Sequence, residues 1–271
     1  MESSKLSAIV KDKGKGTKAM KDASERVIIN RMLNKKLPFD NKTPIEILKS
    51  VSSKSGVNMP FLAGNAFQEG MNKMINEYGG KTTEQVFDED EFSRLDDQFP
   101  VNGFKYYGLD TFGTVAPELI KKGYLSKDFQ YRESTATNEK KGNVMSANFR
   151  NNEEALTAKA AFIRHVQDGV REYAAKKNLK LEPKTIDYLT MTGYNGGLGN
   201  AKMMINELAT GKFNQKDFVE QGQTSRKGVH INIPPRFNKI GIIDKLTSGP
   251  VPSFKGAVPT FDDILAMVKN R

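Results

Sequence analysis

Apolar positions recur at helical spacing through much of the chain. Phe67, Met71, Met74, Ile75 and Tyr78 fall at i, i+4, i+7, i+8 and i+11, which predicts a helix with a core-facing stripe, opened by Asn58-Met59-Pro60 and stopped by Gly79-Gly80. Glu69 lies off that stripe. At about 100° per residue it projects with Leu62 and Ala66 on nearly the opposite face, so its carboxylate has apolar company. Upstream, Thr43-Pro44-Ile45-Glu46 joins an N-cap hydroxyl, a proline at the first helical position and a Glu three residues past the cap, predicting a short helix over 44–54 that Gly56 ends. Leu156, Ala160, Ile163, Val170 and Tyr173 or Ala174 mark a longer helix, capped by Asn152 and reaching about Lys177. Pro183 opens another helix. It carries Ile186 and Leu189 into the elbow Gly193-Tyr194-Asn195-Gly196-Gly197-Leu198-Gly199, resumes over 201–208 and closes at Gly211.

Between these helices the pattern changes character. Residues 84–97 hold seven acids and one base, and residues 130–148 are polar throughout, so both stretches are predicted as loops. Phe104 to Gly113 is aromatic and punctuated by glycine, a segment able to bring backbone close to a ligand. Val229 to Ile233 alternates like a strand, after which prolines at 234, 235, 250, 252 and 259 interrupt the chain before a small helix around 261–268. The first 26 residues, with Lys11, Lys13, Lys15 and Lys18 among glycines, show no face to bury and read as a flexible basic arm. The expected organisation is therefore a basic arm over 1–26, a mainly α domain over 27–212 and a proline-rich extension over 213–271 that docks elsewhere.

Composition narrows the chemistry. A 271-residue chain that is 37% apolar and 27% charged can bury a core, and it contains no apolar run of the ~18 residues that a membrane span requires. The start turns polar at Lys11, too soon for a signal peptide's apolar stretch, so the expectation is a protein made in the cytoplasm without an export signal. Absence of cysteine removes thiol nucleophiles, thiolate metal sites and iron–sulfur clusters, and the only histidines, His165 and His230, have no partner at ligand spacing; neither metal nor cofactor is expected. Forty-two Lys and Arg against 32 Asp and Glu give a formal charge of +10, which favours a polyanionic partner. Nucleic acid is disfavoured among these, because aromatics do not interleave the lysines. The Gly-Gly-Leu-Gly run follows a helix rather than a strand and lacks a Gly-Lys-Ser/Thr ending, which excludes a phosphate-binding loop.

Three ordered segments resemble the lysozyme-like fold of goose-type lysozymes and lytic transglycosylases. Ser52 to Glu69 is similar to that family's opening, in which a short helix, a Gly-Val turn and an Asn/Asp-Pro cap precede the helix bearing the catalytic glutamate; the resemblance makes Glu69 the catalytic acid. Tyr107-Gly108-Leu109 resembles the Gly-Leu-Met-Gln segment that lines the sugar groove. Ile186 to Gly197 resembles the closing Ala-Tyr-Asn-Ala-Gly motif, whose tyrosine and asparagine sit beside the glutamate, and Asn152 to Ile163 is similar to the helix between these two motifs. The likeness spans roughly residues 45–212, about three fifths of the chain. It departs from the family at Gly70, where serine usually follows the glutamate, at Asp110-Thr111, which replace Met-Gln, and at Gly193, which replaces the alanine before the tyrosine.

The implied activity is cleavage of β-1,4 MurNAc–GlcNAc bonds in peptidoglycan. Such chemistry needs a protonated carboxyl near the leaving oxygen, and apolar surroundings favour that form by penalising the anion. Asp110 is the candidate second carboxylate, whose separation from the first would decide retention or inversion. Without one, attack by the muramic 6-hydroxyl or help from the substrate's acetamido group takes its place. On the resemblance, Tyr194 and Asn195, with Gly196, orient the glutamate and the N-acetyl group, and Tyr106 or Tyr107 stacks on a sugar face beside Gly108 and Leu109. A chain without an export signal, with basic ends and a docking tail, suggests a bacteriophage product carried in the virion beside other virion proteins or released at lysis. The rival expectation is a non-catalytic virion structural or glycan-binding protein with a degenerate lysozyme-like domain.

Overall fold

A computed structural model of the chain describes residues 27–88, 98–138, 142–212 and 214–221, together with position 241. The expected basic arm, the strand at 229–233, most of the acidic stretch and the proline-rich tail lie outside the described residues. The described part is mainly helical with one small sheet. After a helical segment at 27–33 come α1 (Pro44–Ser55), α2 (Met59–Ala66), a wide π-type turn over Phe67–Met71, α3 (Asn72–Tyr78) and α4 (Thr83–Phe87). Then follow β1 (Val101–Asn102), α5 (Gly103–Tyr107), α6 (Phe112–Lys121), β2 (Arg132–Asn138) and β3 (Gly142–Phe149). The chain continues through α7 (Asn152–Lys176), α8 (Pro183–Gly196), α9 (Leu198–Ala209) and α10 (Gln215–Gln221).

The local signals act as their chemistry requires. At α1 the Thr43 hydroxyl accepts from Glu46 N, the Glu46 carboxylate accepts from Thr43 N at 2.7 Å, and Gly56 closes the helix at φ 70°. The stripe Phe67, Met71, Met74, Ile75 and Tyr78 is buried throughout, and so are Leu62 and Ala66 on the other side. The helix itself is not continuous as expected. It kinks at Gly70, whose φ of 132° no other residue adopts readily.

α7 is the scaffold. Its 25 residues extend about 37 Å, and α1, α8 and α9 pack along it. The cap is Asn151, one residue before the expected Asn152, and Asn151 accepts from Glu154 N. Asn152 is instead fully buried, donating to Pro38 O and Asp40 while accepting from the Tyr107 hydroxyl. Asp40 closes the helix start by also accepting from the backbone N–H groups of Asn152 and Glu153, each at 2.9 Å. Burial pushes its carboxyl above the ordinary value in spite of these donors. Beside it, Glu153 pays a desolvation penalty of its own, but Lys42, Ser50 and Lys54 overcome it and hold that carboxyl at about 2.

Residues 130–148 are not a loop. Residues 132–138 and 142–149 form the paired strands β2 and β3, and β3 is the middle strand of an antiparallel sheet ordered β1-β3-β2, with Val101 opposite Phe149 and Ser134 opposite Ser146. β2 reads Arg-Glu-Ser-Thr-Ala-Thr-Asn, polar on both faces, so no alternation marks it as a strand. β3 buries Val144, Ser146, Ala147 and Phe149 against α5 and α6. Past residue 212 the chain keeps contact with the helices before it. α10 docks on α8 through Phe218, whose ring lies 4.8 Å from that of Tyr188, and Gln215 bonds both Glu182 N and Lys180 O.

On α8, burial raises the Asp187 carboxyl to about 6, opposed by Arg171. A carboxyl with a raised folded value stabilises the fold while protonated: the contribution is complete below about pH 4 and is lost as pH rises through 6. Asp187→Asn is expected to raise stability at pH 7 by about 1–2 kcal/mol, allowing for the residue's partial exposure, and to give no gain at pH 4. Thermal melts of both proteins at the two pH values test this.

Candidate active site

The π-type turn places Glu69 at the surface of the core, half-buried, with its Oε1 enclosed. Two glycines allow the surrounding backbone to close on it. A Cβ at Gly70 would lie 2.6 Å from Lys105 O and 3.3 Å from the Tyr106 backbone, so only glycine lets α5 rest against the kink. A Cβ at Gly108 would lie 2.6 Å from Glu69 Cβ and 2.8 Å from Oε2, which means that the Tyr107-Gly108-Leu109 segment lies directly on the glutamate side chain.

Tyr194 arrives from the elbow between α8 and α9. Its hydroxyl donates to Gly108 O at 3.1 Å, and its ring stands 5.1 Å from Phe162. Lys159 of α7 joins these pieces. Fully buried, its ammonium donates to Tyr107 O at 2.8 Å and to the Tyr194 hydroxyl at 2.9 Å, and lies 4.6 Å from the centre of the Tyr194 ring. Segments around 69, 108, 159 and 194 thus meet at one place. Sequence reading missed Lys159 as a site residue, although its position gave a signal: it stands three residues after Leu156 and four before Ile163, inside the buried stripe, where an unpartnered charge would be costly.

The remaining expected site residues are placed less favourably. Tyr106 and Tyr107 are 2% and 0% exposed, with hydroxyls donating to Glu77 and Asn152, and burial pushes both phenols upward from their ordinary values. Neither presents a face on which a sugar can stack. Leu109 is likewise core, and its carbonyl accepts from the buried Ser146 hydroxyl at 2.8 Å, so β3 anchors this turn from beneath. Asp110 is half-buried and precedes Thr111, the N-cap of α6. The Asn195 amide donates to Met191 O in its own helix, and Gly196 O accepts from Asn200. His165, well along α7, packs edge-on to Tyr124, and burial, then Lys122, lower its imidazole below the ordinary value. Among the described residues, no group of three or more His, Cys, Asp or Glu is arranged to hold a metal ion, and no helix is long and apolar enough to cross a membrane.

Two substitutions test the packing of this centre. Gly70→Ser is expected to cost at least about 2 kcal/mol, because it meets both a strained φ and a backbone oxygen. Lys159→Met leaves Tyr107 O and the Tyr194 hydroxyl without their buried donor, with an expected loss of about 1–3 kcal/mol. Denaturant unfolding of each variant measures both values.

Comparison with protein-family models, with curated proteins and with solved structures returned no match.

Proposed function

We propose that the chain is a peptidoglycan-cleaving glycosidase with a lysozyme-like domain, acting on β-1,4 MurNAc–GlcNAc bonds, and that Glu69 is its general acid. One observation carries the reading: Gly108 rests on the Glu69 side chain while Tyr194 bonds the Gly108 carbonyl. The resemblance expects three motifs to meet at the glutamate, and it is supported by Gly108, 39 residues after Glu69, lying against that side chain while its carbonyl accepts from Tyr194, 86 residues further on. In this reading Glu69 protonates the leaving oxygen. Gly108 is glycine because substrate and acid must approach the same backbone, and Tyr194 with Lys159 fixes the distance between the turn and the elbow. Asp110 serves as the second carboxylate if the outcome is hydrolysis. Attack by the muramic 6-hydroxyl, giving an anhydro sugar, is the alternative outcome.

The burial of Tyr106, Tyr107 and Leu109 favours a second reading, a non-catalytic virion or glycan-binding protein in which the same domain grips glycan or packs against other proteins. Clearing of purified cell walls separates the two. The wild type is expected to clear them and Glu69→Gln to lose at least about 100-fold in rate with unchanged stability. Equal clearing by both removes Glu69 as the acid, and no clearing by either supports the binding protein. Gly108→Ala should follow Glu69→Gln in rate, because its φ of 59° costs an alanine only about 1 kcal/mol whereas its Cβ displaces the Glu69 side chain. Mass spectrometry of the released fragments distinguishes hydrolysis from anhydro-sugar formation.

A further inference from the structure

A second feature lies away from Glu69, two to five turns further along α7 than Lys159. There the end of α6, the distal half of α7 and the start of α9 border an open-mouthed pocket of about 140 Å³, many times the roughly 15 Å³ that one water needs. Three lysines border it: Lys122, Lys176 and Lys202. Glu172 is the one acid among its lining residues, and Lys122 is held by Glu118 at 2.8 Å in a half-exposed pair of little strength. Among the described residues, no carboxylate lies within 4 Å of the Lys176 or Lys202 ammonium. Lys202 is half-buried and sits 5.5 Å from the centre of the Tyr173 ring, so part of its hydration has already been given up.

Two tyrosines and a leucine supply the uncharged part of the wall. The Tyr124 and Tyr173 hydroxyls are committed to Asp168 and Asn206, which leaves their rings as surfaces. Leu198 forms part of the floor, seated against Gly169 so closely that a Cβ there would lie 2.7 Å from Leu198 Cδ2. The cations that border the pocket are lysines, from the end of α6, from α7 and from α9, and an ammonium binds a phosphate oxyanion as a compact point charge. We propose that this cavity binds a phosphate or phosphodiester group. The site owes nothing to Glu69 and would operate whether or not the chain cleaves glycan.

His165 lines the same cavity and reports on it. Lys122 opposes its protonation, while Glu118, Asp168 and Glu172 favour it. A bound dianion offsets Lys122 and should raise the pH at which this imidazole titrates. The test is proton NMR of the histidine ring signals in the full chain, with His165→Gln used for assignment, during titration with inorganic phosphate at ionic strength held constant with chloride. The expected result is a saturable shift of His165 and an upward move of its titration midpoint, with affinity at least tenfold weaker in Lys176→Gln/Lys202→Gln and weaker to a smaller degree in Lys176→Gln alone. Glu69→Gln should leave the curve unchanged. A glycerol-phosphate oligomer in a parallel titration distinguishes the sources: tighter binding than inorganic phosphate assigns a polymer, equal binding assigns the free ion, and either supports the site. No saturable shift, or identical curves for wild type and the double variant, overturns it.

Discussion

The buried ammonium of Lys159 is the constraint on which the candidate site depends. A lysine with no exposure must exchange all of its hydration for protein acceptors, and the acceptors identified here, Tyr107 O and the Tyr194 hydroxyl, belong to different parts of the chain. Satisfying that one group therefore fixes the α5 turn and the α8 helix against α7 at hydrogen-bond distance. The Tyr194 hydroxyl passes the constraint on to Gly108, and Gly108 passes it by direct contact to Glu69. A network of this kind costs stability to build and gives uniqueness of position in return.

Glycine does the complementary work of allowing approach. Gly70 admits the Lys105 carbonyl at a kink, and Gly108 admits the Glu69 side chain at a left-handed turn. Polar contacts from a third direction hold the turn in place: Ser146 of β3 donates to Leu109 O, and Gly113 lies close to the Met145 and Ser146 carbonyls. The sheet is small, but it stops the α5–α6 connection from moving away from the glutamate. The same logic accounts for Tyr106 and Tyr107, whose hydroxyls tie the turn to α3 and α7 and are thereby withdrawn from any ligand.

Charge is placed differently at the two places. Glu69 is half-buried near the internal, hydrogen-bonded Lys159, whereas the pocket bordered by α6, α7 and α9 carries lysines that reach solvent. In the proposed glycosidase, the two would act on different chemical features of a bacterial wall, neutral sugar rings in one case and an anionic group in the other.

Much of this was legible in the residues alone. Helix periods, the capping box at Thr43, the Gly56 stop, the α7 stripe and the Pro183 start are local signals: a hydrophobic spacing of 3.6 or a side chain reaching its own backbone needs no distant partner, so the sequence determined these helices and their buried faces, whereas the short helices α4, α5 and α6, with too few turns to set a period or with glycine and proline inside, were not evident from it. It did not reveal the hairpin, because β2 is polar on both faces and becomes a strand only through pairing with β3. It did not reveal the kink at Gly70 or the role of Lys159 either, since both depend on atoms more than 30 residues away: the Lys105 carbonyl in one case, Tyr107 and Tyr194 in the other. For the aromatic segment the pattern pointed the wrong way, as tyrosines that look suited to a groove were taken into the core once their hydroxyls found Glu77 and Asn152. Tertiary structure alone decided which polar groups face a ligand and which face one another, because long-range packing and hydrogen bonding, not spacing along the chain, settle that competition.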